Sequence, residues 1–412
     1  MKILIVSTSD IKGGAAKASY RLHKSLLSKN IDSKMLVQSK TSDDYTILTE
    51  DGRWAKNVDK LRPIIEKLPV RFYKDRTKTP FSPSWFGFSS VVDKINEINP
   101  DVVHLHWICG GMIKIEDLAK IKAPIVWSLH DMWAFTGGCH YDENCDAFKA
   151  NCGNCKVLGS KKTNDLSRKV FNRKLKTYSK MSDIIVVGSS KWISECAKNS
   201  TLFKKRKIVT LPNCIDSKLF LPIDKNLVRG IFDIPIDKKV ILFGAMNSLG
   251  DLRKGAKELF IAINLLKLKD TVFVISGSSR PQKIPKLKYP VYFIPPLEDE
   301  VSLPLMYNVA DVMIVPSLQE NLANSIVESL SCGIPVVAFD IGGNKDMIEH
   351  KKNGYLSKAK NPEDMAAGIE WILENSDYTG LATNARKTIL SKFDSSVVSS
   401  KYIDLYKKMS SF

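Results

Sequence analysis

The chain has 412 residues, 44% of them hydrophobic and 9% aromatic, with a formal net charge of +18. Single cores stop growing near about 250–300 residues, so two domains are expected rather than one. The composition excludes disordered and fibrous classes, and no apolar run approaches the roughly 18–20 residues of a membrane helix.

The first apolar run, Ile3 to Val6 in MKILIVSTSD, is shorter than the ~7–15 residues of a secretory core and reads as a strand. Without such a leader, a reducing compartment and free thiols are expected. GGAAKA, Gly13 to Ala18, follows that strand and opens a helix. Its small residues allow close backbone approach to a phosphate at a helix start, or simply a tight turn. Neither G-x-G-x-x-G nor a P-loop pattern is present.

Further β-rich runs follow at 33–38, 102–107, 124–130, 184–189 and 207–212, each leading into a polar turn and a helical pattern. Between the second and third lies Arg53 to Lys78, where basic residues interleave with Trp54, Leu61, Ile64, Leu68, Val70 and Phe72. Pro63 and Pro69 predict short helical pieces or a mobile loop there. His104 and His106 in VVHLHW, and His130 in SLHDMW, end strands and are rival candidates for chemistry, against core or capping roles. Cys139, Cys145, Cys152 and Cys155 follow, spaced x5, x6 and x2. Such turns suit a structural zinc held by four thiolates, or are free thiols.

A boundary is placed near Phe220–Pro222, dividing 1–220 from 221–394, with a helix at about 395–412 completing the first domain. Residues 1–220 carry 38 Lys and Arg against 22 Asp and Glu, whereas 221–412 carry 24 against 22. The excess points to an anionic partner for the first half (a phosphate-bearing substrate, an acidic membrane surface, nucleic acid) or to a solubility surface.

The second half repeats the strand pattern at 239–245, 271–277, 291–296, 312–317 and 335–340. Continuous apolar strands alternating with helices predict parallel sheets covered on both faces, hence an α/β protein of two doubly wound domains facing a cleft. Arg253 and Lys254 in LRKGAKEL sit at a strand end, where ligands bind in such sheets. In LQENLANSIVESLSCGIPVVAFDIGGN, Glu320 falls in a loop and Glu328 in the helix after it, with no Lys or Arg between Ser302 and Gly343. Carboxylates without a local base are expected to accept hydrogen bonds from neutral polyol hydroxyls, while the loop amides face an anion.

Together, QENLANSIVESLSCGIPVVAFDIGGN, GGAAKA, SLHD, PNCID, RKG and LPLMYNVADVMIVPS occur in an order that resembles family 4 of the retaining glycosyltransferases, which have the GT-B fold. HDMWAFTGGCHY followed by CGNC resembles a bacterial subgroup acting in capsule, exopolysaccharide or O-antigen assembly. The resemblance implies metal-independent transfer of a sugar from a nucleotide diphosphate sugar to a saccharide or lipid-linked acceptor. It implies a donor-binding second domain and an acceptor-side first domain, in a cytoplasmic protein peripheral to the inner face of the plasma membrane.

By position, Glu328 would bind ribose hydroxyls and Glu320 the donor sugar. Asn321 and the amides of Leu322, Ala323 and Asn324 would line the sugar and diphosphate. Lys254 would bind the diphosphate, Gly13 and Gly14 would approach it from the other domain, and His130 would contact the sugar near the reacting centre. The arginine that often follows the glycine at Gly244 is replaced by Ala245, so Arg253 is the substitute second cation. The alternatives are a nucleotide-sugar epimerase of the same fold and, in another class, a zinc-containing nucleic-acid-binding protein.

Overall fold

The computed structural model describes all residues except 50–60, 88–89, 245–250, 278–284, 298 and 411–412. The chain forms two compact units, Met1–Asn213 with Ser399–Phe412, and Cys214–Val398.

The first unit is built on strands β1 (Lys2–Ser9), β2 (Asp32–Ser39), β3 (Ile47–Leu48), β4 (Val102–Leu105), β5 (Ile125–Leu129), β6 (Ile184–Gly188) and β7 (Lys207–Thr210). They form one sheet in the order β3-β2-β1-β4-β5-β6-β7, every pairing parallel. The second carries β8 (Lys239–Gly244), β9 (Thr271–Ser276), β10 (Val291–Ile294), β11 (Val312–Val315), β12 (Val336–Phe339) and β13 (Gly354–Ser357). Its order is β10-β9-β8-β11-β12-β13, again all parallel. Both follow the 3-2-1-4-5-6 winding of nucleotide-binding sheets, which reverses direction between the first and fourth strands.

Strand alternation fixes how the second sheet is buried. Val240, Leu242, Val272, Val274, Met313 and Val336 pack into one apolar cluster. Their neighbours Ile241, Phe243, Phe273, Ile275, Ile314 and Val337 pack into another. Because successive side chains point to opposite faces, an unbroken apolar run is what a sheet covered on both sides requires.

The last helix, Ser395–Ser410, sends its end back to the first unit. There the Tyr406 hydroxyl lies 2.6 Å from His104 Nδ1 and the Tyr402 hydroxyl 3.1 Å from Ser128 Oγ. His104 Nε2 lies 2.8 Å from the same Ser128 Oγ, so His104 is fully engaged in the core. Burial pushes it down to about 3, which keeps it neutral.

Candidate active site

In the second unit the winding reverses between β8 and β11, which are hydrogen-bonded neighbours. Loops leaving their carboxyl ends therefore converge, and these loops carry the two motifs that sequence places far apart. After β8 comes the short 3-10 turn Leu252–Lys254, closed by Gly255 at φ +69°. After β11 comes the loop to Glu320. The Leu318 N–H donates to the Arg253 carbonyl at 2.7 Å and joins the two loops. A Cβ at Gly255 would lie 1.9 Å from the Pro316 carbonyl oxygen, so only glycine allows this approach.

This convergence corrects one expectation. Glu320 is not without a base: Lys254 Nζ donates to its Oε2 at 2.8 Å. The cation comes from the neighbouring strand's loop, 66 residues earlier, and the local sequence gives no sign of it. The Ser317 hydroxyl also reaches Glu320 Oε2, at 3.4 Å. Arg253 is held by Asp251, with Nη2 to Oδ2 at 2.7 Å and Nε to Oδ1 at 3.1 Å. Ala245 lies outside the described residues.

Glu328 sits in the helix Asn324–Ser331, only 5% exposed, and accepts the Tyr307 hydroxyl at 2.6 Å. That helix starts at Ala323, whose own side chain supplies no cap. Asn321, Leu322 and Ala323, the last residues of the loop, are buried. Tyr307, the partner of Glu328, lies in LPLMYN. Its place on the helix Ser302–Asn308 faces the Glu328 helix, a pairing no local pattern reveals.

The switch point of the first unit lies between β1 and β4. Gly13, at φ +99°, caps the helix Gly14–Ser28, and a Cβ there would meet nothing within 4 Å, so the backbone borders open space. The turn before it is fixed by Asp10, which sequence inspection passes over. Its Oδ2 accepts the Thr41 and Ser42 N–H groups, at 2.9 and 2.8 Å, and its Oδ1 accepts the Ile11 N–H at 2.9 Å. Burial works against the charge, but these bonds hold Asp10 below its ordinary value.

His130 follows β5 directly, partly buried, with Nε2 2.8 Å from His106 Nδ1. Burial lowers His130 to about 4, so it is a neutral imidazole at physiological pH. Its neighbour Asp131 braces the loop: it accepts Trp133 N–H at 2.8 Å, Trp107 Nε1–H at 3.1 Å and His140 Nδ1 at 2.6 Å. His140 Nε2 is in turn 2.9 Å from Ser82 Oγ. The Asp-His-Ser order matches a hydrolase triad, but Ser82 is 6% exposed and its carbonyl accepts Trp133 Nε1–H, so the chain is a buried brace.

The structure does not show the expected four-thiolate site. Among the described residues no three His, Cys, Asp or Glu side chains stand where one ion can bridge them. Cys139 and Cys155 pack with Val70, Phe81, Val157 and Leu158, whereas Cys152 joins the main core and accepts the Gly137 N–H through Sγ. Cys145 is exposed. Burial pushes Cys152 up to about 12 and Cys155 up to about 11, as suits packed thiols.

Comparison with known proteins agrees with this fold. A family model described as Glycosyltransferase Family 4 matches residues 12–219, and one described as Glycosyl transferases group 1 matches 229–388. A curated relative from Campylobacter jejuni, N,N'-diacetylbacillosaminyl-diphospho-undecaprenol alpha-1,3-N-acetylgalactosaminyltransferase, is 28% identical over 50% of this chain and 56% of its own. The chain spans about half the length of the curated relatives first matched. Among solved structures, sucrose-phosphate synthase from Thermosynechococcus elongatus aligns with a TM-score of 0.69 at 16% identity, over 99% of both chains. Anabaena HepE in complex with UDP aligns with a TM-score of 0.65 at 15% identity, over 99% of this chain and 100% of its own. These likenesses show a GT-B fold of two Rossmann-like units. With the first family model spanning half of its residues and the second most of the remainder, the chain belongs to glycosyltransferase family 4.

Proposed function

We propose that the protein is a retaining glycosyltransferase that moves a sugar from a nucleotide diphosphate sugar to a saccharide or lipid-linked saccharide acceptor in capsule, exopolysaccharide or O-antigen assembly. The observation that carries this is the convergence of Lys254, Glu320 and the Glu328 helix at the switch point of the second unit. Lys254 meets the diphosphate, with Arg253 beside it. Glu320 and Asn321 take the sugar hydroxyls, Leu322 to Asn324 present amides, and Glu328 accepts the ribose hydroxyls. In the first unit, Gly13 and Gly14 supply a close backbone approach to phosphate, and His130 contacts the donor sugar.

The leaving group is a diphosphate, so stabilising its developing charge with a lysine and helix amides is the main catalytic contribution these residues can make. Attack comes from the face the leaving group departs, with the leaving phosphate taking the acceptor's proton, and no metal is needed. The relative from Campylobacter jejuni carries an undecaprenol-linked acceptor in its name, and HepE was solved with UDP. Both favour a UDP-sugar and a lipid-linked acceptor here. Nucleotide release from UDP-sugars and GDP-sugars tests this. Turnover of at least one nucleotide sugar that fails in Glu320→Ala supports it. Absence of both turnover and UDP binding overturns it.

A lipid-linked acceptor places the enzyme at the inner face of a membrane, and one face of the first unit suits an anionic surface. Arg53 to Lys60 lie outside the described residues. From residue 61 the chain forms short pieces, including the 3-10 helix Leu68–Phe72. Leu61, Ile64, Leu68 and Phe72 are exposed there, Phe72 by 86%, among exposed Lys67, Arg71, Lys74, Arg76 and Lys78. Arg62, by contrast, is 2% exposed and belongs to the interior. No helix of the described residues is long and apolar enough to cross a membrane. Basic residues add about 1 kcal/mol each near anionic lipid, while apolar side chains enter the interface. Co-sedimentation with anionic vesicles at low salt is expected, and it should fall when Lys67, Arg71 and Lys74 become glutamine. Equal recovery with neutral vesicles refutes it.

A further inference from the structure

We infer that His106 is a positioning residue that fixes His130 as its Nδ1–H tautomer. The inference rests on the reading of His130 as a donor-sugar contact. His106 follows β4 and His130 follows β5, strands paired in parallel through Leu105 and Trp127. Their rings are stacked, with centroids 5.1 Å apart and planes inclined by 26°. His106 Nδ1 and His130 Nε2 are 2.8 Å apart, so one carries a proton and the other accepts it.

Which one is decided by the far side of His106. Its Nε2 is buried with no hydrogen-bond partner among the described residues. Burial lowers both rings, so both are neutral near pH 7. If His130 donated, the single proton of His106 would sit on Nε2 and leave a buried N–H without an acceptor. Orphaned buried N–H groups are rarer and costlier than a bare acceptor lone pair. The favoured arrangement has His106 Nδ1–H donating to His130 Nε2. His130 then carries its own proton on Nδ1 and acts there as a donor. His104, whose ring centroid is 4.3 Å from that of His106 and which is held on both nitrogens, keeps His106 from rotating.

Long-range proton–nitrogen spectra of the full chain labelled at its six histidines test this, with the His130 signals assigned by their loss in His130→Gln. The wild type should show His130 protonated on Nδ1 and bare on Nε2. His106→Leu should abolish that single tautomer, and His106→Asn, whose amide can still donate, should restore it. UDP release from a panel of UDP-sugars should show kcat reduced about tenfold in His106→Leu with KM unchanged, the loss of one orienting hydrogen bond. In a His130→Gln background His106→Leu should cost nothing further. His130 protonated on Nε2 in the wild type, or an unchanged tautomer in His106→Leu, overturns the inference. Full turnover by His130→Gln would instead sink the role of His130 in catalysis, leaving the spectrum to judge His106.

Discussion

Replacing Glu328 with glutamine separates ligand recognition from folding. The side chain is 5% exposed and accepts the Tyr307 hydroxyl at 2.6 Å. Glutamine keeps the volume and an acceptor oxygen for Tyr307, so stability should change by less than about 1 kcal/mol, the more so because a buried charge is removed. A nucleotide loses more. Ribose hydroxyls donating to a carboxylate form charge-assisted bonds worth about 1.5–3 kcal/mol, so UDP affinity should fall roughly tenfold to a hundredfold. Tyr307→Phe provides the opposite pattern: it leaves the carboxylate but removes one of its braces, costing about 1 kcal/mol of stability and less affinity than Glu328→Gln. Calorimetric titration with UDP, beside thermal melting of each variant, reads both quantities. Wild-type affinity in Glu328→Gln would refute the assignment of Glu328 to the ribose.

Gly255→Ala should lower the melting temperature and abolish turnover together, because its methyl meets the Pro316 carbonyl and forces apart the loops that carry Lys254 and Glu320; a variant as stable and active as wild type contradicts this. His23 and His104 are buried and lowered to about 4 and about 3, below the ordinary 6.5. Unfolded chains bind those protons first, so the stability these residues lend is intact above pH 6.5 and is lost as pH falls toward 4, on the order of 3 kcal/mol each. Melting temperatures should therefore drop between pH 6.5 and 4.5, above the range of most carboxylates, and a flat profile would refute the burial argument. Thiol titration of the native chain should show Cys145 reacting first, with Cys139, Cys152 and Cys155 reacting only on unfolding, and a strong chelator should leave the melting temperature unchanged.

Eleven of the strands were legible because they carry apolar runs, most of them buried on both faces. The two that were not, Ile47–Leu48 and Gly354–Ser357, carry no apolar run long enough to read, one being two residues long and the other half polar. Lys254, Glu320 and Glu328 were legible as residues, since their motifs sit at strand ends. Their relations were not. The Lys254–Glu320 pair and the Tyr307–Glu328 bond join elements brought together by the reversed strand order, which no window of sequence encodes. His106 stood beside His104 as an equal candidate. Only the packing distinguishes them, with His104 tied to Tyr406 and Ser128 and His106 turned toward His130. The cysteines' spacing suits a zinc turn, while in the fold Cys139 and Cys155 lie in one apolar cluster, Cys152 in another and Cys145 at the surface.

The central claim is sugar transfer with retention at the switch point of the second unit. Proton NMR of the first sugar product formed from an α-linked UDP-sugar tests it most directly. The account predicts an α-configured product that disappears in Lys254→Ala, and a β-configured product would contradict it.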